Sequence, residues 1–339
     1  MRAQAILLAV AFSLVPNLDA QHSADVPAVG LKTSTRVLLP PSEPAMPIGG
    51  VSCDREGNVY ARLLTPNASK EQGGVFRLPI QEITPDGAVA KTFRITDISA
   101  AAVAGKHIFV SSDGNVYQLA VMGEGIYAVE FAGDGSVRAK TKLQGDAVSI
   151  QPWDLAVFNT GGYLLTGEAG KDGRTPYTAV FDANGRFVRS VYEPEDEDAR
   201  RKAESGDAMY APSDRGNRFV SLGAVAVGSD GNVYLLRHTS PTLVYVISPK
   251  GEVVRKLHID AVGPDSVGRS IESYGGRLAI GFDGSPTFVV VTDLTGTPIA
   301  RYTVDDDNHL DLACYSSQGL MFIATYTGGR SYLVKARLP

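Results

Sequence analysis

Several short stretches bring chemically capable side chains to the ends of turns. Arg237 and His238 follow Gly231 by six and seven residues. Glu168 stands at the matching place after Gly162, and Arg62 nearly so after Gly57. Arg237 and Glu168 suit an ion pair across a pocket mouth, and Arg237 by itself suits an anionic ligand. Trp153, the sole tryptophan, sits beside Asp154. An indole next to a carboxylate can line a binding pocket by stacking. It can equally plug a core, with the Asp capping a turn, and both readings stay open. Tyr210, Arg215 and Arg218 close a long polar stretch. The candidate ligand-binding set is therefore Trp153, Asp154, Glu168, Tyr210, Arg218, Arg237 and His238.

Other constellations are weaker. Asp305-Asp306-Asp307-Asn308-His309, with Asp311, gathers hard oxygens of the kind calcium takes. The spacing is not that of an EF-hand loop, and clustered Asp and Asn are also ordinary turn chemistry, so no metal or other cofactor is assigned. Gly-x-Ser-x-Gly, His-Glu-x-x-His and Cys-x-x-Cys are absent from the sequence. Gly123 to Ala128 matches a dinucleotide fingerprint, but β-forming residues surround it and no helix follows. The five histidines are scattered. No catalytic set emerges.

The elements that would position these residues are short strands. Asp230-Gly231-Asn232-Val233-Tyr234-Leu235-Leu236 is the clearest phrase: Asp-Gly supplies a tight turn, and β-forming residues run on from it. Related phrases stand at Glu56 to Tyr60, Asp113 to Tyr117, Gly161 to Leu164, Gly275 to Leu278 and Gln318 to Phe322. A second turn follows each of the first five, at Gly87, Gly135, Gly185, Gly251 and Gly296. From Gly114, Gly162, Gly231 and Gly276 the spacing to it is 20 to 23 residues. Two hairpins per unit make a four-stranded antiparallel meander, and six such units make an all-β, six-bladed β-propeller. In the second unit, Gly105 to Val110 competes with Asp113-Gly114 as the first hairpin.

The last unit is one strand short, holding only Asp311 to Cys314, Leu320 to Thr325 and Ser331 to Arg337. Thr33 to Leu39 is a strand with no partner nearby. It is expected to complete the last blade as its outermost strand, which removes a sheet edge and joins the termini. Residues 33–339 then form the propeller, after a 21–32 linker. Cys53 and Cys314, the only cysteines, fall near the ends of the innermost strands of units one and six. Equivalent positions on adjacent blades stand far apart against the roughly 7 Å that a bridge tolerates. Two buried thiols are therefore expected, with a seam-locking disulfide as the alternative.

The pattern of apolar strand, Asp-x-x-Gly-Asn-Val-Tyr, then Val/Ile-x-x-Ser/Asp-Pro-x-Gly resembles the six-bladed propellers of the NHL-like and TolB-like group. Gly223 to Val227, Asp230 to Tyr234 and Val246 to Gly251 match it best, and the likeness spans most of Val51 to Arg337. It implies a fold. The lactonase-type calcium set and the histidine set of amidating lyases are not found.

Length and charge bound the rest. The chain has 339 residues, a net charge of -5 and 36 glycines. The mild acidity argues against nucleic acid or an anionic membrane as partner. Arg2, the apolar run Ala5 to Val15 and Leu18-Asp19-Ala20 read as a cleavable leader over residues 1–20, so a secreted or periplasmic protein is expected. The run is too short to span a bilayer. Long connections at Thr65 to Gly74, Glu168 to Pro176, Val191 to Arg218 and Ile259 to Ile271 all fall on the rim opposite the Asp-Gly turns. The largest, 191–218, lies between blades three and four and suits a short charged helix after Pro194. Loops carry function. The expected role is a monomeric binding or scaffolding protein taking a protein, peptide or glycan on that rim. A hydrolase or lyase with a polar site at the channel mouth is the alternative.

Overall fold

The computed structural model describes residues 26–39, 46–64, 78–96, 108–123, 125–145, 150–169, 175–191, 223–238, 242–259, 267–282, 284, 286–304, 310–325 and 330–339. All of the regular structure among them is β. Two strands precede the first blade, β1 (Ala28–Leu31) and β2 (Thr33–Leu38). Blade one is β3 (Met46–Cys53), β4 (Val59–Leu64), β5 (Ile80–Ile83) and β6 (Val89–Phe93). Blade two is β7 (Ile108–Val110), β8 (Val116–Met122), β9 (Gly125–Phe131) and β10 (Val137–Leu143). Blade three is β11 (Ile150–Val157), β12 (Tyr163–Ala169), β13 (Thr175–Phe181) and β14 (Phe187–Ser190). Blade four is β15 (Gly223–Val227), β16 (Val233–Arg237), β17 (Thr242–Ile247) and β18 (Val253–Ile259). Blade five is β19 (Gly268–Tyr274), β20 (Arg277–Phe282), β21 (Thr287–Asp293) and β22 (Pro298–Val304). Blade six is β23 (Leu310–Ser316), β24 (Gly319–Thr325) and β25 (Ser331–Ala336), with β2 outermost.

Six antiparallel meanders thus form a six-bladed propeller. Val116 pairs with Val110, so Asp113-Gly114 is the first hairpin of blade two. β2 runs antiparallel to β25, with Arg36 opposite Val334, and completes blade six as the repeat count required. Part of the expected linker is itself a strand: β1 lies parallel to β22 and gives blade five a fifth member. Ala28-Val29-Gly30-Leu31 is too short and too exposed to carry a periodic signal of its own.

Burial follows strand rank. Middle strands such as β16 are buried on both faces, whereas the outer strand β10 alternates between half-buried and exposed residues. Along β4, Val59, Ala61 and Leu63 face blade six, and Tyr60 faces blade two. The sides alternate because successive side chains point to opposite faces of a strand.

The recurring turns now have a physical account. Asp230 accepts hydrogen bonds from the Asn232 amide (3.2 Å), the Asn232 side-chain nitrogen (2.7 Å) and the Tyr234 hydroxyl (2.9 Å). Asp54 does the same for Asn58 and Tyr60. In these two turns the Asp-Asn-Tyr phrase is a self-bonded unit. The second turns lock neighbouring blades together. Gly135 has φ +87°, and a Cβ there would stand 2.1 Å from the Thr92 carbonyl oxygen on the outer strand of blade one. Gly185 of blade three approaches Lys142 O of blade two equally closely, and its own carbonyl accepts from the Gln144 amide at 2.8 Å. Only glycine permits both the backbone conformation and the contact.

Cys53 and Cys314 are joined in a disulfide, with α-carbons 5.5 Å apart. This corrects the expectation of two free thiols. That expectation assumed equivalent positions, but the cysteines are offset. Cys53 pairs with Val59, the first residue of its second strand, and Cys314 with Met321, one step further from its turn than Tyr315 and Leu320. One residue of offset reverses a side chain on a strand. Cys53 therefore faces blade six while Cys314 faces blade one.

Candidate functional site at the central channel

The inner strands enclose a channel of about 1200 Å³, lined by residues from all six blades. Each inner strand runs from the rim of long connections to the rim of first hairpins, so the channel has two distinct ends. Arg55, Ser112, Asn159 and Ser229 belong to the hairpin end. Asp154, His238, Arg269 and Asp311 lie toward the other end. These four ionisable residues come from blades three, four, five and six.

The sequence candidates are distributed as follows. Asp154 and His238 both line the channel. The Asp154 carboxylate accepts from the Leu155 amide at 3.0 Å. Trp153 is not among the channel-lining residues. It sits in a bulge between Pro152 and Asp154 and is 39% exposed, as the extra residue of a bulge tends to be. Glu168 lies on β12 opposite Gln151, behind the inner strand. Arg237 donates to the Tyr245 hydroxyl at 3.4 Å, within its own blade. Tyr210, Arg215 and Arg218 lie outside the described residues, as do Asp305 to His309 and the stretch expected as a helix. Among the described residues no group of three or more His, Cys, Asp or Glu is placed to hold a metal ion.

Two charged residues that the site reading passed over break the sixfold pattern. Glu272, on β19, lines the channel between its two ends. Matched by register and packing side, its counterparts in the other blades are Ser52, Phe109, Ala156, Ala226 and Cys314. Burial alone pushes its carboxyl up to about 8. Arg62, noted at first only for its distance from a turn, is fully buried. None of its three guanidinium nitrogens has a hydrogen-bond partner, and burial lowers it to about 10. By alternation along β4 it faces blade two, where the corresponding positions hold Leu119, Thr166, Leu236, Gly281 and Ile323. Superposing the six repeats would have revealed both residues; motif searching does not.

No family model and no curated protein matches this chain. Solved structures do resemble it. A gluconolactonase from Xanthomonas campestris superposes with a TM-score of 0.50 at 11% identity, over 90% of this chain and 99% of its own. A PQQ-bound aldose sugar dehydrogenase from Streptomyces coelicolor gives 0.49 at 10% identity, over 92% and 100%. A protein of unknown function from Bacteroides caccae gives 0.47 at 14% identity, over 75% and 81%. At 11% identity the first likeness speaks for the fold alone.

Proposed function

We propose that this chain is an exported, propeller-type binding protein that takes a protein, peptide or glycan ligand at the insertion-bearing mouth of its channel. One observation carries the reading: a single channel, walled by all six blades, gathers Asp154, His238, Arg269 and Asp311 toward the rim where the long connections attach. A concave site with a few convergent polar groups is the usual form of a ligand pocket. Export rests on the leader-like first twenty residues, and the disulfide is compatible with an oxidising compartment.

The test is to probe glycan and peptide arrays with the intact protein and with an Asp154→Ala/His238→Ala variant. Retained ligands should weaken at least about tenfold in the variant, the effect of losing about 1.4 kcal/mol. Undiminished binding would contradict the site. The same four ionisable groups favour a second reading, a hydrolase or lyase. Mass spectrometry of the recovered ligand separates the two: unaltered ligand supports binding, and cleaved ligand supports the enzyme.

A further inference from the structure

β19 turns one face toward the channel and blade six. From Ser270 to Tyr274 its pairing with β20 is regular, so Ser270, Glu272 and Tyr274 alternate onto that face. All three line the channel, as does Tyr315 across from them on β23. The Tyr274 and Tyr315 rings meet edge to face, with centroids 5.8 Å apart. The Ser270 hydroxyl is buried and has no hydrogen-bond partner. Among the described residues no side chain bonds or pairs with the Glu272 carboxylate. The Glu272 carboxylate, without a partner and with aromatic rings beside it, thus faces the cavity, whereas the Ser270 hydroxyl is shut in against Gly281 of β20.

We propose that this part of the channel is a subsite for a ligand bearing a primary ammonium group, anchored by the Glu272 carboxylate and flanked by the Tyr274 and Tyr315 rings. An ammonium supplies three donors to acceptors that have none, and a cation gains from aromatic neighbours. One carboxylate falls far short of the six or more oxygens that calcium takes. The inference deepens the binding reading and rests on the channel being the receptor. A terminal or lysine amine of a peptide, or an amino sugar, would carry the required group.

Proton balance gives the subsite a signature. Burial leaves the empty site with a neutral carboxyl at pH 7, since the group titrates near 8. Seating R–NH₃⁺ requires the carboxylate, so the Glu272 proton leaves to solvent as the ion pair forms. The strands packed around β19 carry Arg277 (β20), Asp311 and Tyr315 (β23), and Tyr234 and Arg237 (β16), with His238 just beyond. β15 carries no charge, and Arg269 and Tyr274 lie on β19 itself. None of these contributes to the shift, which burial alone causes. Affinity for an amine should therefore rise as pH climbs toward 8 and level off above it.

The probe is benzylamine, with benzyl alcohol as its neutral counterpart, titrated calorimetrically into the full chain at pH 6 and pH 8. Benzylamine should bind about 50-fold more tightly at pH 8, as linkage to a group titrating near 8 requires. At pH 6 it should release close to one proton, read from two buffers of different ionisation enthalpy. Glu272→Gln should abolish both effects, and Tyr274→Leu should weaken binding several-fold without moving the pH profile. Equal affinity at the two pH values, no proton release from the unmodified protein, or no saturable benzylamine binding would overturn the proposal. Benzyl alcohol or an oligosaccharide binding where benzylamine does not would overturn it too, while leaving the channel a receptor. Failure of every probe would count against both readings.

Discussion

Arg62 and Glu272 are both charges set where five other blades place uncharged residues, yet their surroundings differ. Arg62 is sealed between blades one and two, with three guanidinium nitrogens and no partner. Glu272 faces a channel of about 1200 Å³. A lone charge in a closed interface costs stability and offers nothing to a ligand. A lone carboxyl beside an open cavity is instead held neutral at pH 7, at a cost, until a cationic group arrives. Burial by itself is therefore a poor guide to a site; burial joined to access is the useful sign.

The ring seam sets the scale for these effects. The Cys53–Cys314 bridge closes a loop with a sequence separation of 261, and β2 adds its strand to the same blade. Loop-entropy reasoning puts a bridge of that span at about 5 kcal/mol, an upper figure. Reduction, or Cys53→Ser with Cys314→Ser, should lower the denaturation midpoint by more than any single change discussed below. Urea titration with and without reductant checks this. An unchanged midpoint would mean that the strand and apolar contacts hold the seam unaided.

Replacing Arg62 comes next and should act in the opposite direction. Arg62→Met keeps much of the volume and removes an unpaired buried charge, so a gain of about 1–4 kcal/mol is expected. The sign follows from its titration, pushed down to about 10. The guanidinium is charged in folded and unfolded chains alike at all lower pH, and its cost eases only as pH climbs beyond 10. The gain should be the same at pH 5 and pH 8. A loss of stability would show that Arg62 is held by something other than packing.

Legibility in the sequence divides along the same lines. Turn chemistry is local, so Asp230-Gly231-Asn232 and its relatives announced six meanders, and counting strands placed Thr33 to Leu39 in blade six. β1 went unseen because a four-residue parallel strand owes its place to β22 and not to its own pattern. The bridge stood only as the alternative because strand register, which decides where a cysteine points, is not written locally. His238 was found by its distance from a turn and Asp154 as the neighbour of Trp153, and both do line the channel. Arg269 and Ser270 read as part of the connection Ile259 to Ile271, whereas they belong to β19, and Glu272 was passed over. Its meaning depends on the missing partners, and only the assembled ring shows those.

The central claim, that Glu272 is a solitary, half-buried carboxyl whose charged form is disfavoured beside an accessible cavity, is tested most directly by the stability of the parent protein against Glu272→Gln as pH is varied. The glutamine stands in for the neutral acid. Glu272 titrates near 8 in the folded chain and at the ordinary carboxylate value once unfolded. Its burial should cost little at pH 4, where both states are mostly protonated. The cost grows as pH rises, because only the unfolded chain can then ionise freely, and it is complete above 8. The account predicts variant and parent within error at pH 4. The variant's advantage should then widen by up to about 1.4 kcal/mol per pH unit and reach a plateau above pH 8. A constant difference from pH 4 to 9, or a parent that gains on the variant as pH rises, would contradict it.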